Sequence, residues 1–281
     1  MTSLLVSDLD GTLLNSAKAV SETTATIVND YLAEGGLFTI ATARMAYGCD
    51  RLVAGLDLRL PGIVMNGAAL YSFTHHRYEE IQPIPQAAVA AASEAIADAG
   101  AGAFVYAVNE GRIQLGCARP EDLSWTQYNS ERARQTVGDI PVLGFENWDW
   151  LGETIYIAAT GADQQLTRIQ TGLGGTAALA AHPYHNVYSG TECLEYSSSA
   201  GGKASAVLRL KELVGAQHLI VFGDNHNDLE MMRLADRSFA PAGSSPGALT
   251  TADEVIESND DDGVAKTIRR YASVWLPNTD H

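Results

Sequence analysis

The chain has 281 residues, 46% of them hydrophobic, enough to bury the core of one large domain or two smaller ones. Its 34 acidic against 18 basic side chains give a formal charge of -16, a balance that repels nucleic acid and anionic membrane surfaces and argues against a polyanion partner. Small anionic substrates stay open, because a few fixed cations and a metal ion can dominate the field of one pocket.

The amino end carries no basic segment followed by a continuous apolar stretch, and Asp8 and Asp10 interrupt any membrane insert there. The Ala-rich stretch 86–107 contains Glu94 and Asp98, so an amphipathic helix followed by a strand is expected rather than a membrane span. Cys49, Cys117 and Cys193 are odd in number, far apart and not in CxxC spacing, which points to reduced thiols in a cytoplasm.

Taken in chain order, Leu4 to Ser7 read as a buried strand, and a helix follows from Ser21, a candidate N-cap, to Gly35-Gly36. Further buried strands are expected in LFTIAT (37–42), GIVM (62–65) and HLIVFG (218–223), each ending on a polar or glycine turn. Strands alternating with helices predict a mainly parallel α/β sheet. Ligands bind such sheets at the carboxyl ends of strands, which directs attention to Asp8, Thr42, Asn66 and Asp224. The middle reads differently. After Pro83 and Pro85 come the Ala-rich helix, AFVYAV, a Glu110-Gly111 turn, RIQLGCA, a Trp-rich loop, ETIYIAAT and another helix, the pattern of a separate α+β unit. Its boundaries are placed near 83 and 188.

Asp8 and Asp10, two apart on an extended segment, project to one side of a strand end, and Gly11 permits a sharp turn after them. Two carboxylates so placed are tolerable beside a hard cation such as Mg²⁺, which takes oxygen ligands and offsets their charge. A second acidic group, Asp224 and Asp228 in VFGDNHNDLEMM, follows another apolar strand, and the two strand ends suggest one metal site. Thr42 offers a hydroxyl, and Lys203 in SSSAGGKASAV opens a helix with a cation, both suited to an anion. Alone, a DxD is commonly a turn, Lys203 a solvated helix residue and Thr42 a strand-end cap. Together, each at an element boundary, they suit phosphoryl transfer, in which charge on the equatorial oxygens is neutralised during in-line attack and a carboxylate can be the nucleophile.

The segments DLDGTLL, TIATAR, GGKASAV and GDNHNDLEMM resemble, in order and spacing, the four motifs of the haloacid dehalogenase superfamily of phosphatases. VMNGAAL and ESNDDDGVAKTI further resemble the NGA turn and the closing GVA stretch of its Cof-type branch. The resemblance implies a Rossmann-like, mainly parallel core sheet flanked by helices, built from 1–82 and 189–281, with an inserted α+β cap over 83–188 that closes over the core and sets specificity. It implies that Asp8 is the nucleophile, forming an aspartyl-phosphate, and Asp10 the general acid/base. Mg²⁺ would bind the Asp8 and Asp224 carboxylates and the Asp10 backbone carbonyl, with Thr42, Lys203 and Asn227 on the phosphoryl oxygens and Asp228 behind Lys203 or a metal-bound water. Arg44 and Asn66 are candidate substrate contacts.

Two positions depart from the family pattern: Ala43 replaces a usual glycine, which is harmless if its φ is negative, and APAGSS (240–245) replaces a usual AMGNA. The implied activity is hydrolysis of a small phosphorylated metabolite, a sugar or polyol phosphate, with no nucleic acid or membrane partner. Two alternatives stay open: a phosphomutase, which returns the phosphoryl group to a bound sugar, and a non-catalytic phosphosugar-binding regulatory protein.

Overall fold

The computed structural model describes residues 2–125, 141–186 and 191–277. In chain order the elements are β1 (Ser3–Ser7), α1 (Glu22–Ala33), β2 (Leu37–Ile40), α2 (Ala46–Cys49), β3 (Gly62–Val64), β4 (Ala69–Ser72), β5 (Arg77–Ile81) and α3 (Gln86–Asp98). They continue with β6 (Gly102–Asn109), β7 (Arg112–Cys117), β8 (Glu153–Thr160), α4 (Asp163–Leu173), β9 (Leu179–Asn186) and β10 (Thr191–Ser198). The chain ends with α5 (Lys203–Leu213), β11 (His218–Phe222), α6 (Leu229–Leu234), β12 (Arg237–Pro241), α7 (Pro246–Thr251), β13 (Glu254–Ile256) and α8 (Gly263–Trp275). No helix among the described residues is long and apolar enough to cross a membrane.

The chain divides into two compact units, Met1–Glu79 with Gly202–His281, and Glu80–Gly201. In the first, strands in the order β13-β12-β11-β1-β2 form a sheet that is parallel throughout, with Val6 paired to Val221 and to Thr39 on either side. The centre of β1, Leu4 to Val6, is apolar at every position because both faces of the strand are covered. Leu5 packs with Phe38, Phe222 and Ile268, whereas Leu4 and Val6 pack with Val207, Leu210 and Met231. Ser21 caps α1 as expected, its side chain accepting from the Thr24 N–H.

The segment GIVM departs from the expected parallel arrangement. β3 pairs antiparallel with β4 in a small three-stranded sheet with β5, and only an isolated parallel bridge, Ala41 to Ile63, ties it to the strand before it. The reason is local: the turn at Met65–Gly67 reverses the chain so that β4 returns alongside β3.

The second unit is an antiparallel sheet in the order β7-β6-β8-β10-β9 with α3 and α4 packed on one face. Ala103, Val105, Ile157 and Leu194 from the sheet meet Ala92 and Ile96 of α3 and Ile169 of α4, with Trp148 fully buried among them. Glu110 (φ 50) and Gly111 (φ 78) make the two-residue turn between β6 and β7, the left-handed pair a twisted hairpin prefers. The residues around the expected boundary at 188 lie outside the described ones. This unit nevertheless runs on to Gly201, because β10 pairs along its length with β9 and β8. The same pairing places His182 within a strand, its ring nitrogen 2.9 Å from the Ser197 hydroxyl.

Candidate active site

Four of the predicted residues stand at the carboxyl edge of the parallel sheet or just beyond it. Asp8 follows β1 and its N–H donates to the Phe222 carbonyl at 2.9 Å, which carries the ladder one residue past the strand. Thr42 lies just after β2, its N–H donating to Ile63 O at 2.8 Å. Asp224 and Asp228 follow β11, and Lys203 is the first residue of α5.

The structure brings Asp8, Lys203 and Asp228 together in a buried ion triad. The Lys203 ammonium donates to Asp8 Oδ1 at 2.5 Å and to Asp228 Oδ1 at 2.7 Å, with all three residues at most 6% exposed. Asp228 Oδ2 in turn accepts from the N–H groups of Asp224 and Asn225, both at 3.0 Å. Asp228 therefore fixes Lys203 with one oxygen and the shape of the acidic turn with the other.

Burial pushes the Asp8 carboxyl up to about 8, a rise that Lys203 opposes and the charges of Asp228 and Asp224 reinforce. Burial and then Asp228 raise Asp224 to about 6, against the hydrogen bond from Thr12. Burial alone would lower the Lys203 pKa, but Asp8 and Asp228 outweigh it and hold the ammonium charged, with its pKa raised. Oxygens of Asp8, Asp224 and Asp228 lie within 4.8 Å of one another. An all-oxygen, acid-rich set, in which the Asp8 and Asp224 carboxyls are pushed up, is the donor chemistry of a hard divalent cation, so these residues fit Mg²⁺.

The Asp10 carboxylate stands apart from that cluster. Arg44 grips it with Nε at 2.5 Å and Nη2 at 2.8 Å, and Lys18 Nζ adds a third contact at 2.9 Å. Burial pushes the Asp10 carboxyl up, but these hydrogen bonds prevail and hold it at about 2. Arg44, expected as a substrate contact, thus holds an acid of the site. Asn66, the other expected contact, is buried and accepts from the side-chain amide of Asn227 at 3.1 Å. Thr42 is 1% exposed, its hydroxyl oxygen accepting from the Arg44 N–H at 3.1 Å. His226 is exposed, and Ala43 carries no positive φ, so the missing glycine costs nothing there.

Two participants escaped the sequence reading. Thr12 donates its hydroxyl to Asp224 Oδ1 at 3.1 Å, orienting the late acid from the first motif. Its signal was present, since it stands inside the quoted DGT. Lys18 had none beyond lying eight residues after Asp10, and it reaches back from a turn in which its own φ is 58.

A sequence profile of the haloacid dehalogenase-like hydrolases matches residues 5–268. Two Bacillus subtilis (strain 168) proteins, the 5-amino-6-(5-phospho-D-ribitylamino)uracil phosphatases YitU and YwtE, are each 25% identical to this chain. The match to YitU covers 96% of this chain and 98% of that protein, and the match to YwtE 95% and 96%. The crystal structure of TM0651 from Thermotoga maritima has the same fold, with a TM-score of 0.74 at 22% identity over 96% of this chain and 97% of that one. The chain belongs to the haloacid dehalogenase-like hydrolases and is an enzyme of the phosphoric monoester hydrolase class within them, as the four motifs predicted.

Proposed function

We propose that this enzyme is a Mg²⁺-dependent phosphatase of a small phosphorylated metabolite, a sugar or polyol phosphate, working through an aspartyl-phosphate on Asp8. The observation that carries this reading is the clustering of the Asp8, Asp224 and Asp228 carboxylates, two of which, Asp8 and Asp228, hold the buried Lys203 ammonium. A polyol phosphate is favoured because YitU and YwtE are named for a substrate phosphorylated on a ribityl chain.

Asp8 attacks phosphorus with one carboxylate oxygen while the bond from phosphorus to the leaving oxygen breaks, giving an alcohol and the phosphorylated aspartate. Asp10 supplies the proton to the leaving oxygen and later takes one from the water that attacks the acyl phosphate. For the first role its grip by Arg44 and Lys18 has to loosen, because those two cations favour the ionised form. Lys203 and the Thr42 hydroxyl neutralise charge on the transferring group, with the Asn227 amide as a further donor, and Asp228 keeps Lys203 aimed. Asp8, Asp224 and the Asp10 carbonyl would hold Mg²⁺, which supplies charge neutralisation at the phosphoryl oxygens. Selection of the leaving group is assigned to side chains of the inserted unit, Glu80–Gly201.

Phosphate release from a panel of sugar and polyol phosphates tests the reading. Asp8→Asn should abolish release while leaving the unfolding midpoint in place, and excess chelator should stop the parent enzyme. Turnover surviving either treatment refutes the mechanism. Isomerised product without free phosphate would identify a mutase.

A further inference from the structure

We propose that Asn66 is a positioning residue: the turn that carries it anchors the amide of Asn227 and aims it at the phosphoryl group. This assignment rests on the phosphate-binding role given to Asn227 above. Met65, Asn66 and Gly67 have φ values of 52, 54 and 89, three consecutive residues in the left-handed region. Asparagine tolerates that region and glycine is at ease in it, but methionine is not, and a residue held there stores backbone strain. Such a turn persists only where its surroundings fix it.

Here they do so from three sides. The Met65 N–H donates to Arg44 O at 2.9 Å and the Asn66 N–H to Thr42 O at 3.0 Å, which ties the turn to the backbone of the second motif. Gly67 lies against the start of α5, where a Cβ would collide with the Gly202 carbonyl oxygen and come within 2.8 Å of the Lys203 nitrogen. Asn66 Oδ1 accepts from Asn227 Nδ2 at 3.1 Å. One strained turn thus touches the segments that carry Thr42, Lys203 and Asn227.

The chemistry of an amide completes the argument. Nδ2 of Asn227 carries two hydrogens, and Asn66 takes one of them, which fixes the plane of the amide and leaves the second for an acceptor oxygen. Without that anchor the half-buried side chain turns about its broad terminal torsion, and the second hydrogen loses its aim.

The test is inhibition of the Mg²⁺-loaded full chain by inorganic phosphate, with p-nitrophenyl phosphate as substrate, for Asn66→Gly, Asn227→Ala and the double variant. Asn66→Gly keeps the backbone conformation and removes the anchor. It should raise the inhibition constant about tenfold, the loss of one hydrogen bond to a charged group. In the Asn227→Ala background the same change should add less than about twofold, because interaction through a shared partner makes the losses non-additive. Asn66→Ala should match Asn66→Gly in inhibition while unfolding at a lower temperature, since alanine strains at φ 54. Equal factors in both backgrounds would make Asn66 a direct substrate contact and overturn the proposal, as would an unchanged constant in either single variant. A parent enzyme that neither releases phosphate nor is inhibited by it overturns the phosphatase reading itself, an outcome separate from all of these.

Discussion

Gly11 and Asp224 approach so closely that a Cβ on Gly11 would overlap the Asp224 carboxylate. Gly11 also has a φ of 85, and the next residue, Thr12, donates to the same carboxylate. The first motif therefore supplies more than its two acids: its turn is the surface on which the late acid rests. Gly11→Ala has to both strain the backbone and displace Asp224. It should cost about 1–3 kcal/mol of stability in urea titration. Phosphate release should fall about a hundredfold, the scale expected when a reacting group moves by an ångström. A variant with parental kcat would show that the site tolerates a displaced Asp224.

Lys203 is the single cation in a buried triad with Asp8 and Asp228. Lys203→Met leaves two buried carboxylates facing each other, and removal of one partner from a buried pair typically costs about 3–5 kcal/mol. The variant should unfold at a correspondingly lower urea midpoint and release no phosphate. Adding Asp228→Asn should restore part of the stability but not the turnover, because it removes the stranded Asp228 charge without replacing the donor. If Lys203→Met alone matched the parent in stability, the triad would be electrostatically neutral in effect.

These two predictions concern the part of the site that was legible in sequence. Asp8, Asp224 and Lys203 each follow or open a regular element, and those elements were readable: Leu4 to Val6 of β1 are all apolar because Leu5 faces one core and Leu4 and Val6 the other. The parallel sheet then gathers strand ends wherever they fall in the chain. The grip on Asp10 was not legible. Arg44 and Lys18 meet it because two loops and a left-handed residue converge in space, and no local pattern marks that. Asn66 was found for its place after a strand, but its hydrogen bond with Asn227 was not legible, because it depends on a left-handed backbone at Asn66 and on a residue 161 positions away. The compact second unit also runs past the expected boundary near 188, to Gly201, for a related reason. TECLEYSS alternates like any half-covered strand, and only its pairing with β8 and β9 says which unit owns it.

The raised carboxyls give the metal-free protein a definite pH dependence. Asp8, at about 8, and Asp224, at about 6, both titrate well above their ordinary value of 3.8. A carboxyl raised in the folded state contributes stability that is full below 3.8 and is lost as pH rises through 6 and then 8. Lys203 stays charged across that window and does not reverse the sign. The chelated protein should therefore lose thermal stability progressively through the window. Mg²⁺, which binds the ionised forms, should raise the unfolding midpoint far more at the alkaline end than at the acidic end. Scanning calorimetry with and without the metal reads this directly, and an equal gain at both ends would remove these carboxyls from the metal site.

Glu195, in β10, offers a test confined to the second unit. Burial raises its pKa, and the hydrogen bond it accepts from the Tyr156 hydroxyl at 2.8 Å only partly opposes the rise. The sign follows from the direction: its contribution is full below the ordinary value of 4.5 and is lost as pH climbs through the raised one. Glu195→Gln keeps an acceptor for Tyr156 and removes the charge that burial penalises. The variant should therefore unfold at a higher temperature than the parent in neutral buffer, and the difference should vanish in acid below the ordinary glutamate range. Melting curves at those two conditions decide it. A gain of the same size in acid would mean that packing, not the ionisation of Glu195, separates the two proteins.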